Sequence, residues 1–241
     1  MLRISVAFCI VAGITWLPCR ADELRVEHVR NAKGDGPDGK GNTADDTWQF
    51  WFELAHQRGH FARLATYSTS IPKAGIPRKV RGPIASMLPN PDDSEGWIFH
   101  RDWDGRFEGF WGDKKAAQIL AYPYVEKTSH CAVAVTYKVP KDGTYDITGG
   151  LTDLQVQPQF KQHDGVELVL QFADEGKPIK LIARGGPFGD GNGRPDSVNF
   201  QALNVAAKKG QLIRLEIQPR QWWGSDLTRI DAFRIVPARD K

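Results

Sequence analysis

Between Gly96 and Lys114 the chain reads GWIFHRDWDGRFEGFWGDK, setting Trp97, Trp103, Phe107, Phe110 and Trp111 among Asp102, Asp104 and Glu108. Flat aromatic faces of this kind stack on the C–H faces of pyranose rings while neighbouring carboxylates accept hydrogen bonds from sugar hydroxyls. Tryptophans are usually substantially buried, so two or three of these rings are expected to fill a core. Trp103 and Trp111 stand beside Gly and Asp in turn-like sequence and are the rings expected to face a ligand. QWWGSD repeats the theme at Trp222, Trp223 and Asp226. Successive strand residues point to opposite faces, so one ring of that pair is free for a surface role. The expected binding set is Trp103, Trp111 and Trp223, with Asp102 and Asp104 as acceptors.

The same carboxylates suggest other chemistry. Asp102, Asp104 or Glu108 would serve a glycosidase as acid and base, which requires a pair about 5 to 9.5 Å apart across the scissile bond. The plainer reading makes them solvated partners of Arg101, Arg106 and Lys114. His56 and His60 have helical zinc-ligand spacing, but HQRGH lacks the glutamate of the metalloprotease motif and contains Gly59. There is no Gly-x-Ser-x-Gly elbow and no phosphate loop. In GDGPDGKGNTADD, Asp38, Asn42 and Asp45 fall at the spacing of the later ligands of a calcium loop, with Gly39 at its sharp turn. Gly34 and Gly36 occupy the earlier ligand positions, so a structural calcium ion needs Asp35 or a neighbouring loop to complete its sphere. Asp190, Asn192 and Asp196 form a second oxygen cluster interrupted by Arg194, read as a glycine-rich loop.

Period-two patterning supplies the elements that must hold these residues. CAVAVTYKV places Cys131, Val133, Val135, Tyr137 and Val139 on one face, and DGVELVLQF does the same with Val166, Leu168, Leu170 and Phe172. QLIRLEI sets Ile213, Leu215 and Ile217 opposite Leu212, Arg214 and Glu216. LTRIDAFRIV closes the chain with Ile230, Ala232 or Phe233, and Ile235 or Val236 near the core, its register open. DDTWQFWFELAH carries both a helical capping box and the strand alternation of Trp48, Phe50, Phe52 and Leu54. Aromatic enrichment decides for a strand, with HFARLATYS after Gly59 as its return. Pro140 to Gly143 and Ala207 to Gly210 supply turn chemistry. Residues 68–95, with five prolines and no sustained period, read as a long irregular insertion.

The opening MLRISVAFCIVAGITWLPCRADEL combines Arg3, an apolar run from Ile4 to Leu17 and a Cys19-Arg20-Ala21 cleavage site, the pattern of a signal peptide spanning residues 1–21. The run is shorter than a membrane span needs. The expectation is a secreted or periplasmic protein, with 22–241 forming one domain. Losing Cys9 and Cys19 leaves Cys131 alone, so no internal disulfide is possible and the apolar core must carry stability. Losing Arg3 and Arg20 leaves 30 basic against 29 acidic residues, a balance without the electrostatic footprint of a nucleic-acid or anionic-membrane binder.

The order of AYPYVEKTSHCAVAVTYKVPKDGTYDITGGL, HDGVELVLQF, NVAAKKGQLIRLEI and DLTRIDAFRIV after an early aromatic strand resembles a jelly-roll module of secreted bacterial proteins akin to carbohydrate-binding modules. The resemblance rests on the Val139-Pro140 to Gly143-x-Tyr145 corner, the Asp164-Gly165-Val166 strand entry and Asp226 before the last strand. It implies an all-β, antiparallel two-sheet jelly-roll β-sandwich, frequent structural calcium, and a ligand held by loops at one end or on a concave face. The expected function is non-catalytic binding of extracellular or cell-wall polysaccharide. Alternatives are a polysaccharide-degrading enzyme using carboxylates near 102–108, or an envelope module for protein interaction.

Overall fold

The computed structural model describes residues 22–31, 47–54, 58–64, 66–68, 94–101, 107–113, 117–126, 129–154, 165–174, 177–188, 196–220 and 227–238. The segment with competing helix and strand signals is β2 (Trp48–Glu53), which pairs antiparallel with β3 (Phe61–Arg63). The alternation decides it: Trp48, Phe50 and Phe52 join the central core, whereas Trp51 belongs to a separate cluster on the other face.

Two antiparallel sheets make the sandwich. The first runs β14 (Asp196–Ala207), β11 (Gly143–Asp153), β16 (Thr228–Pro237), β7 (Gln118–Tyr122), β6 (Phe107–Asp113), β5 (Ser94–Arg101), β4 (Thr66–Ser68), with β1 (Asp22–Glu23) added to the far part of β16. The second runs β13 (Lys177–Phe188), β12 (Val166–Asp174), β15 (Leu212–Pro219), β10 (Val133–Lys138), β2, β3. A short pair, β8 (Tyr124–Glu126) and β9 (Ser129–Cys131), precedes β10, and one short helix, α1 (Val26–Asn31), buries Val26 and Val29. Every sheet pairing among the described residues is antiparallel, so the two-sheet β-sandwich expected from the strand patterning, and implied as a jelly roll by the resemblance, is the architecture observed.

Aromatic rings join the layers. Trp48 of the second sheet meets Phe233 of the first edge-on at 5.5 Å, and Phe50 meets Phe110 at 5.0 Å. Such pairs are worth roughly 0.5–1.5 kcal/mol each beyond area burial. Phe110, one of the five rings named from the stretch between Gly96 and Lys114, is thus core. Phe200 packs on Phe233 above Gly149, where a Cβ would collide with the Phe200 ring and lie 2.8 Å from the Ala232 carbonyl oxygen. The Tyr137 hydroxyl donates to Asp22, joining β10 to β1 across the sandwich, and burial first, then that hydrogen bond, pushes its pKa up. At the corner before β11 the Tyr145 hydroxyl donates to the Lys141 carbonyl at 2.7 Å.

The open register of the closing strand has a structural answer. Leu151 pairs with Ile230 and Gly150 with Ala232, so Asp231 is an extra residue. This bulge shifts the pattern, letting Ile230, Phe233 and Ile235 all reach the core. Cys131 is buried and in no disulfide, in keeping with a packing role. Two of the four edge strands are long: β13 slips register against β12 three times, and β14 slips once against β11, near Asn204 at φ 56°. Exposed Ile179, Leu181 and Leu203 lie on these two strands.

Candidate functional site

The stretch from Gly96 to Lys114 is largely a hairpin inside the first sheet, β5 paired to β6, with β4 and β7 on either side. Trp111 therefore stands in a strand, not the turn-like setting read from its Gly and Asp neighbours, and its register partner across the hairpin is Trp97. The same backbone row continues through Leu120, Arg229, Thr152 and Ser197, crossing from β6 to the far edge at β14. Its described end is polar. Thr152 Oγ1 donates to Asp231 Oδ2 at 2.6 Å and lies 2.8 Å from Ser197 Oγ, and Arg229 Nε donates to Asp231 Oδ1 at 2.5 Å. Leu120 and Tyr122 are buried although Ile119 and Ala121, not they, join the core, so β7 is covered on both faces. Asp102, Trp103, Asp104 and Trp223 lie outside the described residues, as do Asp38, Asn42 and Asp45 of the expected calcium loop. Among the described residues no group of three or more metal-ligating side chains converges, and no helix is long and apolar enough to cross a membrane.

A second face carries chemistry that the sequence reading passed over. On the side of the second sheet turned away from the core, the register aligns Gln171, Arg214, Thr136 and Gln49 in one row and Val169, Glu216, Ala134 and Trp51 in the next. On this face Ala132, just before β10, and Ala134 and Thr136 within it precede Lys138 at the strand's end, and these three small side chains leave a trough that the larger neighbours fill. Arg214, fully buried, lies 3.7 Å from Glu216 and packs its guanidinium over Phe61 at 4.6 Å and Trp51 at 5.4 Å. Arginine suits such a place because its planar, weakly hydrated cation stacks on aromatic faces. Glu216 accepts hydrogen bonds from the Gln171 and Gln218 amides, the latter at 2.8 Å. Burial, opposed by Gln218 and Arg214, pushes the Glu216 carboxyl above its usual range, while burial lowers Arg214 to about 10. Glu53, on the same face, accepts the backbone N–H of Gly59 and that of Ala132 at 3.3 Å, which holds the β2–β3 turn. These two carboxylates are committed to structural donors.

Where this layer meets the rim of the sandwich, a groove of about 650 Å3 opens. That size lies within the range of small-molecule sites. Gln49 and Trp51 line it from the buried layer, joined by Lys138, Asp174, Lys208, Lys209 and Gln211. Trp51 Nε1 donates to Thr136 Oγ1 at 2.9 Å, which sets the plane of the indole. The lysine pair sits on the tight turn between β14 and β15. Gly210, at φ +81°, makes the reversal. Two backbone bonds then fasten the turn to β10's exit, Gly210 N–H to the Val139 carbonyl at 2.8 Å and Val139 N–H to the Gln211 carbonyl at 2.9 Å.

No family model matches the chain, and no curated protein matches it. Solved structures similar in fold include carbohydrate-binding modules. One is TmCBM27, described for specific mannan recognition, at 10% identity and TM-score 0.41, covering 91% of this chain and 97% of that one. Another is TmCBM61 in complex with beta-1,4-galactotriose, at 11% identity and TM-score 0.34, covering 80% and 89%. A Stig cyclase, Fisc from Fischerella sp. TAU, stands beside them at 10% identity and TM-score 0.36, covering 91% and 100%. With an enzyme of different chemistry at the same level of likeness, these similarities carry no argument about ligand.

Proposed function

We propose that the chain is an exported, non-catalytic protein that binds extracellular or cell-wall polysaccharide. The observation that carries this reading is the groove beside the second sheet, where the half-exposed Gln211 and a charged rim stand over the buried Trp51 and Gln49. Sugar recognition pairs apolar contact with amide donors and acceptors, because each ring presents a C–H face and an edge of hydroxyls. The two buried carboxylates on the neighbouring face are held by amide and backbone donors, which supports binding without bond cleavage. Aromatic stacking by Trp103, Trp111 and Trp223, with Asp102 and Asp104 as acceptors, is the second part of the proposal, and the pairing of positions 97 and 111 supports it. A calcium ion at Asp38, Asn42 and Asp45 would be structural.

The test is binding of the protein to a polysaccharide panel by affinity electrophoresis and calorimetry, with reducing-end release measured in parallel. Micromolar to millimolar dissociation constants are expected, about −8 to −4 kcal/mol. Gln211→Ala, in a partly exposed turn residue, probes the groove, and Trp103→Ala with Trp111→Ala probes the aromatic set. Loss of binding in either group assigns the site. Absence of binding to every polymer, or release of reducing ends, overturns the proposal.

A further inference from the structure

Each end of a sheet presents a row of backbone donors and acceptors with which another strand can pair. The sandwich has four such edges, β14 and β4 in the first sheet, β13 and β3 in the second. Three of them are poor templates. β3 and β4 are three residues long, and β13 loses its register three times and carries Lys177, Lys180 and Arg184. β14 differs from all of them. It runs for twelve residues, DSVNFQALNVAA, without proline and with Asp196 as its one charge. From Asp196 to Ala202 it follows β11 through seven register pairs without a slip, the irregularity near Asn204 coming only afterwards. Ser197, Asn199 and Gln201 are exposed along this run, while Val198, Phe200 and Ala202 pack on the core.

Apolar side chains gather beside this edge. Among the described residues the large hydrophobic side chains that stay exposed are Ile179, Leu181 and Leu203, all on β13 or β14. The two strands follow one another in the chain and lie along the same side of the sandwich. They approach at Gly185, where a Cβ would stand 3.7 Å from Val198 Cγ2. A long unguarded edge and a cluster of exposed apolar residues are two separate marks of a surface that another chain covers.

We infer that this border pairs with a second copy of the chain, β14 lying antiparallel to its counterpart so that the two eight-stranded sheets become one. Charge fits the copy as occupant. With a two-fold axis at Asn199, Ser197 faces Gln201 and Asp196 faces Ala202, so the strand's single charge does not meet itself, and like charges directly opposite are what destabilise such pairs. Area says how much of the border takes part. Seven residues make a run of about 24 Å, and the edge of one sheet, about 10 Å deep, offers roughly 250 Å2 per copy, the scale of an incidental contact. Both layers together, about 20 Å deep, offer roughly 500 Å2 per copy, about 1,000 Å2 in the pair, where specific interfaces begin. Leu181 and Leu203, one on each layer, therefore belong to the interface, and the association is of micromolar strength. Under the binding reading above, the pair carries two grooves on one particle, and a polymer reaching both is held by linked contacts.

The experiment is sedimentation velocity on the whole protein from about 1 to 200 µM, the range in which an interface of this size dissociates. A monomer at the dilute end and a dimer at the concentrated end are expected. Hydrogen exchange at the two ends should show the β14 amides slowed in the dimer and those of β4 unchanged. Asn199→Lys with Gln201→Lys places like charges across the two-fold and weakens association by about tenfold or more. Both positions are exposed, and circular dichroism at the dilute end checks that the variant folds. A chain that stays monomeric throughout overturns the inference, as does a dimer that persists undiminished in the lysine variant or leaves β14 exchange unaltered. So do β14 amides already slowed at the dilute end, since another segment of the same copy would then cover the edge.

Discussion

Replacing Arg214 by methionine tests the buried charge layer behind the groove. Methionine matches the length of the stem, so the change removes the guanidinium with little loss of volume. Two things go with it: stacking on Phe61 and Trp51, and the counter-charge 3.7 Å from Glu216. Breaking a buried pair on one side costs about 3–5 kcal/mol because the remaining charge is stranded. A second route to the magnitude runs through protonation. Burial already raises the Glu216 carboxyl and Arg214 opposes that rise, so the variant raises it further. A carboxyl protonated in the folded state but ionised near 4.3 when unfolded costs about 1.36 kcal/mol per pH unit above that value, a ceiling of about 3.7 kcal/mol at pH 7. The sign follows: with the folded pKa raised, stability is intact below about pH 4.3 and is lost as pH rises toward the folded value. Urea unfolding followed by tryptophan fluorescence should therefore show a deficit of about 3–5 kcal/mol at pH 7 that shrinks markedly at pH 5. Adding Glu216→Leu should restore most of it, because an apolar pair needs no counter-charge. A deficit below about 1 kcal/mol at pH 7 would refute the reasoning, as would one equally large at pH 5, or a double variant no better than the single.

Gly149→Ala should destabilise by about 1–3 kcal/mol in the same assay, since a Cβ there meets the Phe200 ring and the Ala232 carbonyl. Tyr145→Phe should cost about 0.5–1.5 kcal/mol through loss of the bond to the Lys141 carbonyl; unchanged thermal and urea midpoints would show the corner is held by packing alone. Tyr137→Phe should cost more than Tyr145→Phe, because its hydroxyl donates to a carboxylate of the opposite sheet, and comparing the two unfolding curves checks the order. Reactivity of Cys131 toward a thiol reagent should be negligible in native buffer and complete in denaturant, as its burial requires.

The core was legible because its alternation is unbroken: Trp48, Phe50 and Phe52 against Gln49, Trp51 and Glu53, and Ile213, Leu215 and Ile217 against Arg214 and Glu216. The closing strand was legible only to within one residue, since a bulge at Asp231 leaves no mark in a period-two pattern. The buried polar layer escaped notice for a different reason. Arg214 and Glu216 on a strand's second face look like solvated charges, and nothing in a single sequence distinguishes a solvated face from a covered one. A usable signal was present in the second face of CAVAVTYKV. Ala132, Ala134 and Thr136 are too small to fill a surface themselves, which points to larger side chains closing over them. The groove was half visible: Ala207 to Gly210 was read as a turn, but its approach to Lys138 depends on bonds to Val139 from across the sheet. Position 111 was misplaced because Gly and Asp beside a ring suggest a reversal, whereas Gly109 and Gly112 here lie within β6.

The long edge strands β13 and β14 bear on how the molecule coexists with its own copies. A twelve-residue border strand with exposed isoleucine and leucine is the kind of template on which another chain can crystallise into a growing fibril. Along β13, prolines at 178 and 187 remove amide donors, lysines stand at 177 and 180, and the pairing slips three times, so no straight run of donors and acceptors remains for a newcomer to copy. Straightening that border, by exchanging Pro178 and Lys180 for valine, would turn a protective irregularity into a nucleus for self-assembly.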